Sequence, residues 1–299
     1  MLWIPITLLA ASAQTLRFMF QKRLRIGTLS TGGATFARFL YAAPLIALVA
    51  IGYASVRGYG MPVMEWQFWA FAAVGGFCQI CATMCVVALF QQRNFTIGIT
   101  FKKVEVLLAA GFGLLFLGEG VSLPALGAIS LGVLGVLVIS DAPQVVGSEG
   151  PRFFNKATAL GLSCAVFFGA CAVFYRGATL HISAADVFAR SSVTLMVAIS
   201  MQFLGMALYL RWREPGQITE VIRAWRVAIW VGLLSLLGSL AWFTAFTLQN
   251  AAYVKALGQV EILASFAISV CVFGEKMRRS EAVGIAFLSV SVVLLILLL

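Results

Sequence analysis

The chain has 299 residues, of which 62% are hydrophobic and only 11% charged, and its mean hydropathy is +1.00. A soluble domain carries about a quarter charged residues, so that class is excluded. The formal charge of +10 invites a nucleic-acid reading, but the basic residues sort by loop, which is a membrane-topology signal.

Apolar runs of about 20 residues, each able to cross a ~30 Å hydrocarbon core as a helix, predict ten spans: 2–20, 31–53, 66–90, 95–117, 121–140, 156–176, 184–210, 226–247, 251–273 and 281–299. The first lacks a basic n-region and a small-residue cleavage site, so it is expected to be a retained helix rather than a signal peptide. It carries Gln14 one turn before Arg17. The second holds Arg38. The third places Gln79 and Thr83 on one face and Cys78, Cys81 and Cys85 on another; with no histidine nearby, these thiols read as packing residues, not metal ligands. The fourth contains Lys102, Lys103 and Glu105. Gly132 and Gly135 of the fifth are expected to permit close helix contact. The sixth ends near Tyr175 and Arg176, the seventh holds Arg190, the eighth carries Trp242 and Thr244, and the ninth carries Lys255, Gln259 and Glu261.

Connections between spans 1–2, 3–4, 5–6, 7–8 and 9–10 hold thirteen Lys and Arg, whereas the others hold Arg57 and, at a helix edge, Arg176. Basic residues stay on the cytoplasmic side, which predicts both termini outside the cytoplasm and an integral protein of the bacterial inner membrane.

The stretches VEVLLAAGFGLLFLGE (104–119) and VEILASFAISVCVFGE (260–275) repeat one another at an offset of 156 residues. The same offset aligns Phe90 with Phe246 and Asn94 with Asn250, and TFARFL (35–40) answers VFARSS (187–192). The repeat divides the chain into 1–145 and 146–299, five spans each. An odd number of spans inverts the second copy in the membrane. The fold class expected is therefore an all-α polytopic membrane protein with ten transmembrane helices in two inverted five-helix repeats. Transporters built this way work by alternating access and bind substrate near the midplane.

At these residues the chain resembles the EamA-type permeases of the drug/metabolite transporter superfamily. The resemblance covers nearly the full length and implies a central cavity lined mainly by the first four helices of each half, and export or exchange of small metabolites such as amino acids. The matching positions are Glu105 and Glu261, with turns at Gly118-Glu119 and Gly274-Glu275. Two departures stand out. Val106 and Ile262 occupy the places where many relatives have a helix-breaking Pro, and many relatives keep their termini in the cytoplasm.

Six basic residues, Arg17, Arg38, Lys102, Lys103, Arg190 and Lys255, and two acids, Glu105 and Glu261, fall inside predicted spans. Each costs roughly 2.5–3.5 kcal/mol at a helix centre, which points to a polar interior. Lys102 and Glu105, three apart, can pair locally. Lys102 corresponds to Gly258 in the second half, so Glu261 must pair with a cation on another helix or carry a coupling proton. Arg17 either faces the cavity or snorkels to the interface. Glu119 and Glu275 are expected to accept from backbone N–H groups at the next helix start, with Gly118 and Gly274 supplying positive φ.

The substrate-binding candidates are Gln14, Arg17, Arg38, Gln79, Lys102, Tyr175, Arg190, Trp242, Lys255 and Gln259, with Glu105 and Glu261 for coupling or ion pairing. Six cations against two anions select a carboxylate-bearing or zwitterionic solute, an amino acid or organic acid. Lacking an ATP-binding motif of the Gly-x4-Gly-Lys-Ser/Thr type, the carrier is expected to run on a proton, an ion or exchange. The expected partners are that solute, the bilayer and a coupling proton, with no nucleic acid, no cofactor and no metal; monomer and homodimer both stay open. An enzyme is disfavoured, since no nucleophile–base pair or ligand set stands at membrane depth and His181 sits in a short connection. A flippase for lipid-linked or polyprenyl-carrier substrates and an exporter of amphipathic drugs are the alternatives.

Overall fold

Ser30 accepts from the Gly33 N–H and opens a helix that runs to Arg57 and stops at Gly58 in the left-handed region, φ +67°. Capped starts and glycine stops of this kind punctuate the chain. A computed structural model describes residues 1–27, 29–60, 62–92, 102–139, 156–184, 186–260, 262 and 279–298. Within them are eleven helices: α1 (Trp3–Ile26), α2 (Thr31–Arg57), α3 (Trp66–Leu89), α4 (Glu105–Leu117), α5 (Leu123–Ile139), α6 (Lys156–Leu180), α7 (Val187–Arg213), α8 (Gln217–Arg223), α9 (Trp225–Leu248), α10 (Ala251–Gly258) and α11 (Arg279–Leu297). Five of them, α2, α3, α6, α7 and α9, are long and apolar enough to cross a membrane. The chain is an all-α integral membrane protein.

α3 lies along α6, α1 along α9, α2 against α7, and α9 also against α2 and α7. α4 packs on α6 and α10, whereas α5 and α11 form a side pair. Small residues permit these approaches. A Cβ at Gly135 would lie 2.7 Å from the Gly284 carbonyl oxygen, and one at Gly132 would lie 2.5 Å from Ser291 Oγ. Ser291 donates 2.6 Å to the Ala128 carbonyl across the same seam. The main core gathers Trp3, Ile46, Tyr175, Ile199, Trp242 and Phe243 between α1, α2, α6, α7 and α9.

Several expectations shift. The first and sixth helices run on to Ile26 and Leu180, and the seventh starts at Val187 rather than near 184. Two small elements were not foreseen. Val63–Met64 (β1) pairs antiparallel with Ile182–Ser183 (β2), Val63 opposite Ser183, and α8 fills the turn after α7. The expected fourth span is not helical throughout its described part: Lys103 and Val104 form a turn, and α4 starts at Glu105. α10 likewise stops at Gly258, where Gln259 N–H and Val260 N–H bond back three residues to Ala256 and Leu257. The two breaks fall at positions 156 residues apart.

For orientation, the end carrying Ser30, Arg211 and Arg223 is called the basic end, and that carrying the β1–β2 ribbon the ribbon end.

Candidate functional site

The fully buried charged side chains among the described residues are five cations, Arg17, Arg38, Lys102, Lys103 and Lys255, and one carboxylate, Glu105. Glu105 opens α4, where a carboxylate also meets the positive end of the helix dipole. Lys102 Nζ lies 3.8 Å and Lys255 Nζ 3.6 Å from the same atom, Glu105 Oε1. At these separations the contacts are ion pairs rather than hydrogen bonds, and Glu105 Oε2 has no hydrogen-bond partner among the described residues.

The ring of Phe168 on α6 ties the two lysines together. Lys102 Nζ is 5.1 Å and Lys255 Nζ 5.3 Å from its centroid, and Lys255 also lies 4.9 Å from the Trp242 ring. Aromatic faces attract ammonium groups without neutralising them, so both lysines keep their charge beside Glu105. Trp242 stacks on Phe246 at 5.7 Å, and its Nε1–H, buried, has no partner among the described residues. The Trp242 ring fits only because Gly258 has no side chain: a Cβ there would sit 2.6 Å from Cη2.

Arg38 enters from α2. It donates to Thr83 Oγ1 on α3 (3.1 Å) and Ser239 Oγ on α9 (3.0 Å), two hydroxyls, and no described carboxylate pairs with it. Tyr175 OH donates 3.0 Å to Gln79 Oε1, and Gln202 Nε2 reaches Gln79 Oε1 (2.9 Å), Tyr175 OH (3.1 Å) and the Gly76 carbonyl (3.0 Å). This amide–phenol knot joins α3, α6 and α7.

The structure therefore gathers Arg38, Gln79, Lys102, Glu105, Tyr175, Trp242 and Lys255 in the buried middle. Gln259 joins them differently: its Nε2 donates 3.3 Å to the Lys103 carbonyl, holding one helix break to the other. Arg17 is turned inward, 2% exposed, with Nη1 2.7 Å from Gln21 Oε1, so it does not snorkel. Gln14 is half-buried where α1 passes Gly238.

Arg190 is not part of this centre. Because α7 starts at Val187, Arg190 lies in its first turn, bonded to the Ala184 carbonyl at 3.4 Å. The Glu119 carboxylate is not the helix cap it was expected to be. Ser122 Oγ accepts from the Ala125 N–H instead, and Glu119 Oε2 takes Arg176 Nε at 2.5 Å, a charged donor outcompeting a neutral one. Arg176 Nη1 also reaches the Phe246 and Gln249 carbonyls. Gly118 does adopt positive φ, +65°. Glu261, Gly274 and Glu275 lie outside the described residues.

Both ends of α2 and α7 are fastened. At the basic end, Ser30 Oγ donates to Glu214 Oε2 and Ser30 N–H donates 2.8 Å to Gln217 Oε1. At the ribbon end, Asp186 caps α7 through the Ala189 N–H and accepts from Tyr53 OH at 2.8 Å. Burial pushes the Asp186 carboxyl up, but the bonds from Ala189 N–H and the Tyr53 and Tyr59 hydroxyls outweigh it and hold the group below its ordinary value. A cavity of about 340 Å³ opens beside this cluster, lined by Ala50, Tyr53, Tyr59, Pro62, Val63 and Ser183.

Phe168, Gln202, Ser239 and Gly258 were not singled out in the sequence. Gln202 carried a usable signal, a lone amide inside AISMQFLGM. Phe168 is one of 24 phenylalanines and carried none.

No family model matches the chain, and no curated protein matches it. Twenty-seven chains of solved structures do. One, described as "Crystal structure of protein", superposes with a TM-score of 0.66 at 16% identity over 99% of both chains. At that identity the likeness is one of fold, and it extends over essentially the whole length.

Proposed function

We propose that this protein is a secondary active transporter of the EamA kind, moving a small carboxylate-bearing or zwitterionic metabolite by alternating access through ten spans in two inverted halves. The observation that carries the reading is the convergence of Lys102 and Lys255 on one oxygen of Glu105 around the Phe168 ring. Among the described residues the buried cations outnumber the buried carboxylates, and a buried charge is costly unless it is paired. Trp242 Nε1–H and Glu105 Oε2 add unspent hydrogen-bonding capacity nearby, the sparse polar lining typical of small-molecule sites.

Helix packing supports the inverted halves. Shifting each span by five turns the α1–α9 contact into the α3–α6 contact, and maps α2–α7 and α5–α11 onto themselves. Interrupted helices meeting at the middle are a recurrent transporter device, and the Gln259–Lys103 contact joins two such interruptions. The basic end is then cytoplasmic, by the distribution of Lys and Arg, and the ribbon-end cavity is an outer vestibule.

A thermal-shift screen of purified protein against amino acids, organic acids and cationic drugs tests the substrate class, because a specific ligand stabilises the folded state by mass action. Stabilisation by carboxylates that disappears in Lys255→Met supports the reading. Stabilisation only by quaternary ammonium compounds overturns it in favour of a drug exporter.

A further inference from the structure

Both ammonium groups at the centre point to a single place, the position of Glu105 Oε1. A carboxylate cargo that uses the lysine pair has to occupy that place, so cargo and Glu105 exclude one another. We propose that Glu105 is the resident stand-in for the cargo: an arriving carboxylate takes the two ammonium groups beside Phe168, Glu105 leaves them and binds one proton, and anion and proton cross together. This deepens the transporter reading and rests on it.

The proton follows from what surrounds Glu105. Among the described residues, the charged groups that face it are Lys102, in the segment leading into α4, and Lys255 on α10, with the thiols of Cys164 and Cys171 on α6 nearby. Lys103 lies in the turn just before α4, and α5, the remaining helix packed on α4, carries no ionisable residue. Once the lysines serve the cargo, a side chain only 8% exposed loses the two cations that hold it charged. A buried carboxylate in that position neutralises instead. Glu105 Oε2, without a hydrogen-bond partner among the described residues, is the atom open to the proton. The trio carries one net positive charge before loading, and trio plus cargo anion carry the same charge after it. The balance closes: one anion and one proton enter, no bond is broken elsewhere, and the proton comes from water on the loading side.

The test uses full-length protein in micelles and three probes, sodium benzoate, L-leucine and L-glutamate, titrated by thermal shift from about pH 5 to about pH 8. The half-saturating concentration of the probe that binds falls about tenfold for each unit of pH lowered. Glu105→Gln binds the same probe more tightly, by about tenfold, with no pH dependence, and Lys255→Met loses it. A second reading needs no variant: wild-type protein in weakly buffered solution takes up about one proton per carboxylate bound. Stabilisation that is flat with pH, no proton uptake, weaker binding by Glu105→Gln or undiminished binding by Lys255→Met each overturns the stand-in role and leaves the transporter reading intact. Failure of all three probes to stabilise wild-type protein overturns both.

Discussion

Gln259 donates its side-chain N–H to the backbone carbonyl of Lys103 across 3.3 Å, and the two residues hold the same place in the repeated sequence, 156 positions apart. The chain turns there instead of continuing as helix. A broken span leaves backbone groups that must be satisfied by protein or water, and here a side chain from the matching break does so. Gln259→Leu removes that donor. The expected outcome is a loss of about 1–3 kcal/mol of stability, read as a lowered unfolding temperature in detergent, with Gln259→Asn failing to restore it because its shorter arm does not reach.

Gly258 is the second point of fragility. An Ala there drives its methyl into the Trp242 ring, 2.6 Å away, and the ring is the face over which Lys255 sits. Gly258→Ala should abolish carboxylate-dependent stabilisation while lowering the melting temperature by no more than an ordinary overpacking change, about 1–3 kcal/mol. Gly258→Ala with Trp242→Phe, which trims the ring, should recover part of the binding.

At the ribbon end, Arg176 ties the α4–α5 connection to the end of α9 through three bonds, to Glu119 and to the Phe246 and Gln249 carbonyls. Arg176→Lys keeps the charge but not the planar fork that reaches all three. A cost of about 2 kcal/mol is expected, and Glu119→Gln should cost less, since the two carbonyl bonds survive it. Equal losses in the two variants would count against the clamp.

The Gly32–Gly33 pair makes room for Glu214 and Gln217 at the basic end: a Cβ at Gly33 would meet Gln217 Oε1 at 2.5 Å. Gly33→Ala is therefore expected to eject Gln217 from its bond to Ser30 and destabilise the protein, and Gln217→Ala should rescue the double variant. Absence of rescue in a thermal double-mutant cycle removes the glycine's assigned role.

Asp186 gives a pH signature. Its carboxyl is held below its ordinary value in the folded protein, so its stabilising contribution is complete above the unfolded value of about 4 and is lost as pH falls through the lower, folded one. Asp186→Asn keeps an adequate helix cap. Its melting temperature should lie below wild type at neutral pH, and the gap should close below about pH 4.

Much of the helical framework was legible because it depends on composition: long apolar runs, with Gly118 as a stop. Lys102 beside Glu105 was legible because both lie within one turn of the chain. Lys255 joining the same oxygen was not, because nothing local encodes which helix faces α4. Arg190 looked equivalent to Arg38 through the shared Phe-Ala-Arg, yet helix start points differ: Thr31 precedes Arg38 by seven residues and Val187 precedes Arg190 by three. Equal motifs at unequal depth reach different surroundings. Glu119 was misassigned because a cap can be inferred from neighbours, whereas a guanidinium 57 positions later cannot.

The seam between α5 and α11 has a consequence for how the chain is made. Roughly 140 residues separate the two helices, from Ile139 to Arg279, so α5 is synthesised long before the surface that fits Gly132 and Gly135 exists. Until then its glycine groove faces lipid or the insertion machinery. α11 completes the packing of α5, and a ribosome stalled before α11 would leave that earlier helix without its partner.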